Sequence, residues 1–331
     1  MKRKIQFWIG IVFSAAGLAL AVKSTNIEET WSALGQTDYY PLIPALAALG
    51  ITLVCKAARW RLLFDPQNGY PPLSKAFTVL IIGQMINLVF PLRMGEVARA
   101  YFIGEMAGSS KPLAMATVVV EKAVDMLAAL LLIVAVLVIM PLPDWLQRPA
   151  LSLALVSAAL LVVLLVLAYQ KGRLSGALSW LWGVLPAVLH PPFLAGHLER
   201  FLDGLGALRN ARAMVLVGLL TGIAWLSAAV TNHFVFLALG IAPPFVASIF
   251  LVLVLQLGVA VPSGPGRIGV FQYLTILALS LFMIAPEKAF AVGVVLYLVV
   301  HTPPVALGLF FLWQYHLGLW KVRSLAGHTD L

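Results

Sequence analysis

Charge is scarce in this chain. Of its 331 residues only 11% are Asp, Glu, Lys or Arg, whereas 62% are hydrophobic. A soluble domain carries about 25% charged and about 45–50% apolar residues. No water-soluble fold of this length hides so much apolar surface, and a soluble enzyme is excluded. Cysteine is scarcer still: the single Cys55 rules out an intrachain disulfide and a zinc site built on thiolates. Walker A, His-Glu-x-x-His and Gly-x-Ser-x-Gly runs are missing, which disfavours ATP hydrolysis, zincin and α/β-hydrolase chemistry. With no low-complexity tract and no soluble segment, residues 1–331 read as one integral membrane domain. Neither a cofactor nor a metal is expected.

The charge that is present is mostly basic, 22 Lys and Arg against 13 Asp and Glu, for a net +9. These residues lie between apolar runs. That pattern suits cytoplasmic loops beside anionic headgroups and not nucleic acid. Crossing the bilayer takes about 20 apolar residues, and the runs 5–22, 40–58, 113–140, 150–169, 213–239 and 288–315 qualify. Three others, 76–90, 245–261 and 267–284, are less clean. Lys2, Arg3 and Lys4 ahead of 5–22 mimic a signal peptide, but the run reads as a retained first helix. The Trp-rich stretch 174–194, broken by Pro186, Pro191 and Pro192, reads as an interfacial elbow.

Loop charges set the orientation. Both termini and the segments 56–75 and 171–212 are basic and belong inside; 23–40, with Glu28, Glu29 and Asp38, belongs outside, as does 141–149. Nine full crossings contradict these signs. The contradiction disappears if residues 76–108 form one hairpin from the cytoplasm and 245–284 a second from the opposite side. The expected architecture is an all-α polytopic bundle in the bacterial inner membrane, its two hairpins forming an inverted repeat. Parity leaves open whether each hairpin spans or turns back; the polarity of 91–111 favours a turn within the membrane for the first.

Three polar clusters interrupt the apolar pattern. Arg93, Glu96 and Arg99 follow Gln84 and Asn87, and a charge at bilayer centre costs at least ~2.5–3.5 kcal/mol. Such residues pair with each other or line a polar cavity. Glu121 and Asp125 stand four apart deep in an apolar run, on one helix face. They need cationic partners, and Arg93, Arg99 and Arg267 are the candidates. The third cluster, Pro262-Ser263-Gly264-Pro265-Gly266-Arg267-Ile268-Gly269, matches the letters of a dinucleotide fingerprint but lacks its βαβ setting. A Gly/Pro turn opening a helix, with Arg267 in it, reads as an anion site using backbone N–H groups such as that of Gly266; a plain tight turn is the alternative. Asn232, His233, Gln256 and His301 read as interhelical glue. Gly218-x-x-x-Gly222 suggests close packing, Pro303-Pro304 a kink, and Trp313 and Trp320 interface anchors.

Four of these elements carry a family resemblance: Arg59-Trp60, Pro91-x-Arg93-x-Gly95-Glu96-x-x-Arg99, Glu121-x-x-x-Asp125 and Pro262…Gly266-x-x-Gly269-Val270. In order and spacing the chain resembles the integral membrane domain of lysylphosphatidylglycerol synthases and their stand-alone flippase-like relatives. The last family motif commonly ends in an acid, where this chain has Gln272. The soluble aminoacyl-transfer domain of bifunctional members has no counterpart here. The resemblance implies lipid translocation and not lysyl-lipid synthesis.

The expected substrate-binding residues are therefore Arg93, Glu96, Arg99, Glu121, Asp125, Gly266, Arg267 and Gln272. Arginine forks match phosphate oxygens, so the expected partner is a phospholipid or a polyprenyl-phosphate lipid, its chains left in the bilayer. A homo-oligomer is compatible with the sequence and not required by it. The rival readings are a membrane transferase using a polyprenyl-phosphate donor and a scaffold for lipid enzymes.

Overall fold

A computed structural model describes residues 14–23, 25–64, 69–90, 93–139, 144–170, 172, 176, 192–258 and 264–317. The apolar runs fold as α-helices, because inside a bilayer only a helix or a closed barrel satisfies its own backbone. In chain order they are α1 (Ser14–Lys23), α2 (Ile27–Gly35), α3 (Leu42–Leu62), α4 (Leu73–Val89), α5 (Met94–Ala107), α6 (Lys111–Ile139), α7 (Asp144–Tyr169), α8 (Pro192–Asp203), α9 (Ala211–Ala238), α10 (Phe245–Gly258), α11 (Val270–Ser280) and α12 (Pro286–Gln314). There is no strand among the described residues. Helices α3, α6, α9 and α12, with Gln147–Tyr169 of α7, are long and apolar enough to cross a membrane. The chain is an all-α polytopic membrane protein.

The order long, short, short, long occurs twice, in α3–α6 and in α9–α12. The packing repeats with it: α3 lies along α9, α4 packs on α12, and α10 packs on α6. Each short pair is a hairpin, α4 on α5 and α10 on α11. Their helices have 17, 14, 14 and 11 residues. At about 1.5 Å per residue all four fall short of the ~30 Å hydrocarbon core.

The bases of the hairpins lie at opposite ends of the bundle. At one end Asp38 N–H donates to the Ala238 carbonyl at 2.8 Å, and Asn26 N–H to Glu287 Oε1 at 3.3 Å, next to where α11 ends and α12 begins. At the other, Arg61 Nε donates to the Pro71 carbonyl, Lys75 Nζ to that of Met106, and Arg209 Nε to that of Ala168. The tips converge inside: the 3-10 turn Pro265–Arg267 packs against α4.

Several expectations change. Lys56 and Arg59, read as loop charges, are residues of α3. Gly218 and Gly222 do not pack closely, since a Cβ on either meets nothing within 4 Å; they lie in a lateral cleft between α6, α9 and α10. Pro303 and Pro304 lie inside α12 and do not end it, for the helix continues to Gln314. Asn232 does join helices, donating to the Ser248 carbonyl of α10 at 3.1 Å, and Trp313 is exposed. The elbow 174–194 falls almost wholly outside the described residues, as do Trp320 and the N-terminal part of 5–22.

Candidate functional site

Three helices of the first repeat meet around a buried ionic network. The Cys-Lys-Ala-Ala-Arg-Trp turn of α3 projects Lys56, Arg59 and Trp60 to one side, by their i, i+3, i+4 spacing. Arg59 has no exposed surface. Its Nη1 donates to Asp125 Oδ1 at 2.6 Å and to Thr221 Oγ1 of α9 at 3.2 Å. Its Nη2 donates to Glu121 Oε1 at 3.0 Å and Asp125 Oδ2 at 3.2 Å. One guanidinium thus serves both carboxylates, which is why their spacing on α6 matters. The other oxygen of Glu121 accepts from Arg99 Nη2 of α5 at 2.5 Å.

Arg99 is held on its remaining side by an aromatic face. Its guanidinium carbon lies 4.2 Å from the Trp60 ring centroid, a cation–π contact that strengthens out of water. Trp60 Nε1 in turn donates to Thr117 Oγ1 at 3.0 Å. The stem of Arg99 runs across Gly83 of α4, where a Cβ would stand 2.5 Å from its Cγ. Nearby, Lys122 Nζ pairs with Glu96 at 3.1 Å. Replacing such a network by apolar groups is often neutral, but removing one partner strands a charge and costs about 3–5 kcal/mol.

Both hairpin tips put an arginine in left-handed backbone. Arg93, just ahead of α5, has φ 53°, and Arg267 has φ 56°. This conformation is costly for any residue with a Cβ, and glycine is its usual occupant. In the second tip Gly266 and Gly269 take it at φ 76° and 90° while Arg267 keeps its side chain between them. Strain of this kind concentrates at functional sites. The second tip is braced by neutral bonds. Tyr297 Oη donates to the Gly266 carbonyl at 2.7 Å, Gly269 N–H to Gln272 Oε1 at 2.7 Å, and Gly264 N–H to Ser14 Oγ at 2.8 Å.

Between the tips lies a polar cavity of about 360 Å³, in the size range of small-ligand sites. Arg93, Glu96, Arg99, Glu121, Asp125 and Arg267 all line it, as do Gln84 and Asn87. Six of the eight expected residues are therefore gathered in one place from α5, α6 and the second tip. The other two play a different part. Gln272 is buried beneath the turn, its oxygen engaged by Gly269, and Gly266 presents its carbonyl to Tyr297; both shape the tip and neither lines the cavity. A second, more apolar lobe continues from the first. Lys56, Gln84, Asp125, Gln256, Arg267 and His301 border both lobes. His301 and Gln256, expected as glue between helices, thus face the cavity as well.

The sequence reading gave two residues of this cluster no part in the site: Arg59, quoted only for the family resemblance, is the hub of the network, and Lys56 is a cation of the cavity wall, yet both resemble ordinary cytoplasmic-loop charges. The signal available was the Arg59-Trp60 pair within an apolar helix.

The chain is similar to a protein named Glycosyltransferase AglD from Haloferax volcanii, 27% identical over 326 residues, which covers 88% of this chain and 51% of that protein. It thus spans about half the length of that relative. It is also similar to a UPF0104 membrane protein from Methanothermobacter thermautotrophicus, 22% identical over 312 residues, covering 89% of this chain and 90% of the relative. The family described as Lysylphosphatidylglycerol synthase TM region matches residues 7–308, nearly the whole chain including both hairpins and the ionic network, and the protein belongs to that family.

Proposed function

We propose that the chain moves a phosphate-bearing lipid between the leaflets of the cell membrane, through the cavity between its hairpin tips. The observation that carries this reading is the pair of left-handed arginines. Arg93 and Arg267 come from opposite hairpins, keep a strained backbone that glycine would relieve, and line one cavity. Guanidinium groups bind phosphate oxygens through paired N–H donors. Glu96, Glu121 and Asp125 hold the surrounding cations in place. An anion lodged between the tips touches both halves of the repeat, which alternating access requires.

Orientation follows from charge. The end bearing the base of α4 and α5 carries Arg61, Lys75, Lys111, Arg200, Arg209 and Arg212 against Glu105, Glu199 and Asp203. The opposite end carries Glu28, Glu29, Asp38 and Glu287 against Lys23, Arg148 and Lys288. Positive charge marks the cytoplasmic side, so the first hairpin rises from the cytoplasm and both termini lie there. Without a Walker A loop in the sequence, movement is driven by a gradient, a coupled ion or consumption of the product.

The test is leaflet exchange in proteoliposomes holding a fluorescent phospholipid, with an impermeant quencher added outside. Protein-containing vesicles should lose more than half of the fluorescence, and protein-free vesicles only the outer-leaflet share. Glycosyl transfer, the activity in the name of the Haloferax relative, would instead leave a covalently altered lipid once a polyprenyl-phosphate sugar is added to the vesicles as donor, with the polyprenyl phosphate released. Mass spectrometry of the recovered lipid separates the two readings.

A further inference from the structure

The charges around the cavity are unequally matched. Glu121 is taken by Arg59 and Arg99, Asp125 by Arg59, and Glu96 by Lys122. Every carboxylate on the wall already faces a cation of the protein. Lys56 and Arg267, also on the wall, form no ion pair among the described residues. With Arg59 just behind the wall, six cations surround three carboxylates.

The position of the two unmatched cations is informative. Lys56 and Arg267 stand where the polar lobe passes into the apolar one. Gln84 stands with them at the junction; on one side lie Asn87, Arg93, Glu96 and Lys122, and on the other Leu53, Trp225, Val252 and Phe271. A phosphate at that junction has hydrogen-bonding side chains on its headgroup side and hydrocarbon on its chain side.

Building on the transport reading, we infer that the site selects lipids whose headgroup carries no positive charge. The phosphate held by Arg93 and Arg267 meets Lys56 on its chain side. A hydroxylated or anionic headgroup extends into the polar lobe past Asn87, and the first chain carbons occupy the apolar lobe instead of staying in the bilayer. An ammonium group in the polar lobe meets excess like charge and finds no free carboxylate. That is discrimination by repulsion.

Binding to the purified full chain in detergent tests this, using short-chain lipids of defined headgroup. Dihexanoylphosphatidylglycerol should bind at least about tenfold tighter than its lysyl ester, and glycerol phosphate, which lacks chains, at least about tenfold weaker than the lipid. Lys56→Gln should lower affinity for the anionic lipid about tenfold. Gln84→Glu adds a carboxylate to the junction and should raise affinity for the lysyl lipid about fivefold, a gain that a misfolded variant cannot produce. Equal affinity for the two lipids, glycerol phosphate binding as tightly as the lipid, or no gain with Gln84→Glu overturns the inference. Selective binding without leaflet exchange would contradict transport and leave the selectivity standing. Exchange that ignores headgroup charge would do the reverse.

Discussion

The two halves of the repeat share an arrangement of helices and differ in what holds them. In the first, α3, α5 and α6 are joined by Arg59, Arg99, Glu121 and Asp125, charges buried among apolar helices. In the second, the bonds are neutral: Asn232 joins α9 to the Ser248 carbonyl of α10, Tyr297 of α12 holds the Gly266 carbonyl of the tip, and Gln272 caps its own helix at Gly269. Among the described residues, the second half adds the charge of Arg267 to the cavity wall. Burying ionisable groups on one side of the cavity carries a desolvation cost that the neutral bonds of the second half do not, and the proposed transport gives those groups a use.

The contrast is sharpest at Arg59. Arg59→Met strands Asp125, leaves Glu121 to Arg99 alone, and should destabilise the protein by about 3–5 kcal/mol; thermal unfolding in detergent measures it. Gly95 and Gly269, one in each hairpin, come next. A Cβ at Gly95 would lie 1.9 Å from the Gly83 carbonyl oxygen, and one at Gly269 lies 2.2 Å from that of Ser14. Neither backbone neighbour can rotate aside. Alanine at either site should cost about 1–3 kcal/mol by overpacking, with the positive φ of Gly269 adding to it. Smaller still is Asn232→Leu, which removes one neutral bond of the second half and should cost about 0.5–1.5 kcal/mol. Equal losses for Arg59→Met and Asn232→Leu would erase the distinction between the halves.

Much of this arrangement is legible in the residues themselves. Apolar runs of bilayer length betray α3, α6, α7, α9 and α12, and the signs of the loops betray the opposed hairpins. The i, i+4 carboxylates of α6 announce a cationic partner, and Arg99, one of three candidates named, is indeed bound to Glu121. Arg59 stayed hidden because Arg61 and Lys75 follow it, and charge counting does not distinguish a buried guanidinium from a loop cation. Its partners lie 62 and 66 positions away, a separation that no local pattern encodes. The roles of Gln272 and Gly266 were hidden for another reason: they depend on which atoms the turn directs inward, and that is decided by the packing of α1 and α12 against it.

The smallest effect on stability accompanies the largest on function. Glycine at Arg93 and Arg267 relieves left-handed backbone worth about 1–2 kcal/mol each and gives back part of that in chain entropy. The double variant Arg93→Gly/Arg267→Gly should therefore unfold at the same temperature as the native protein or slightly above it. Its rate of phospholipid exchange in proteoliposomes is the most direct measurement of the central claim. The account predicts at least a tenfold slowing in a protein of undiminished stability; native exchange by that folded double variant would contradict it.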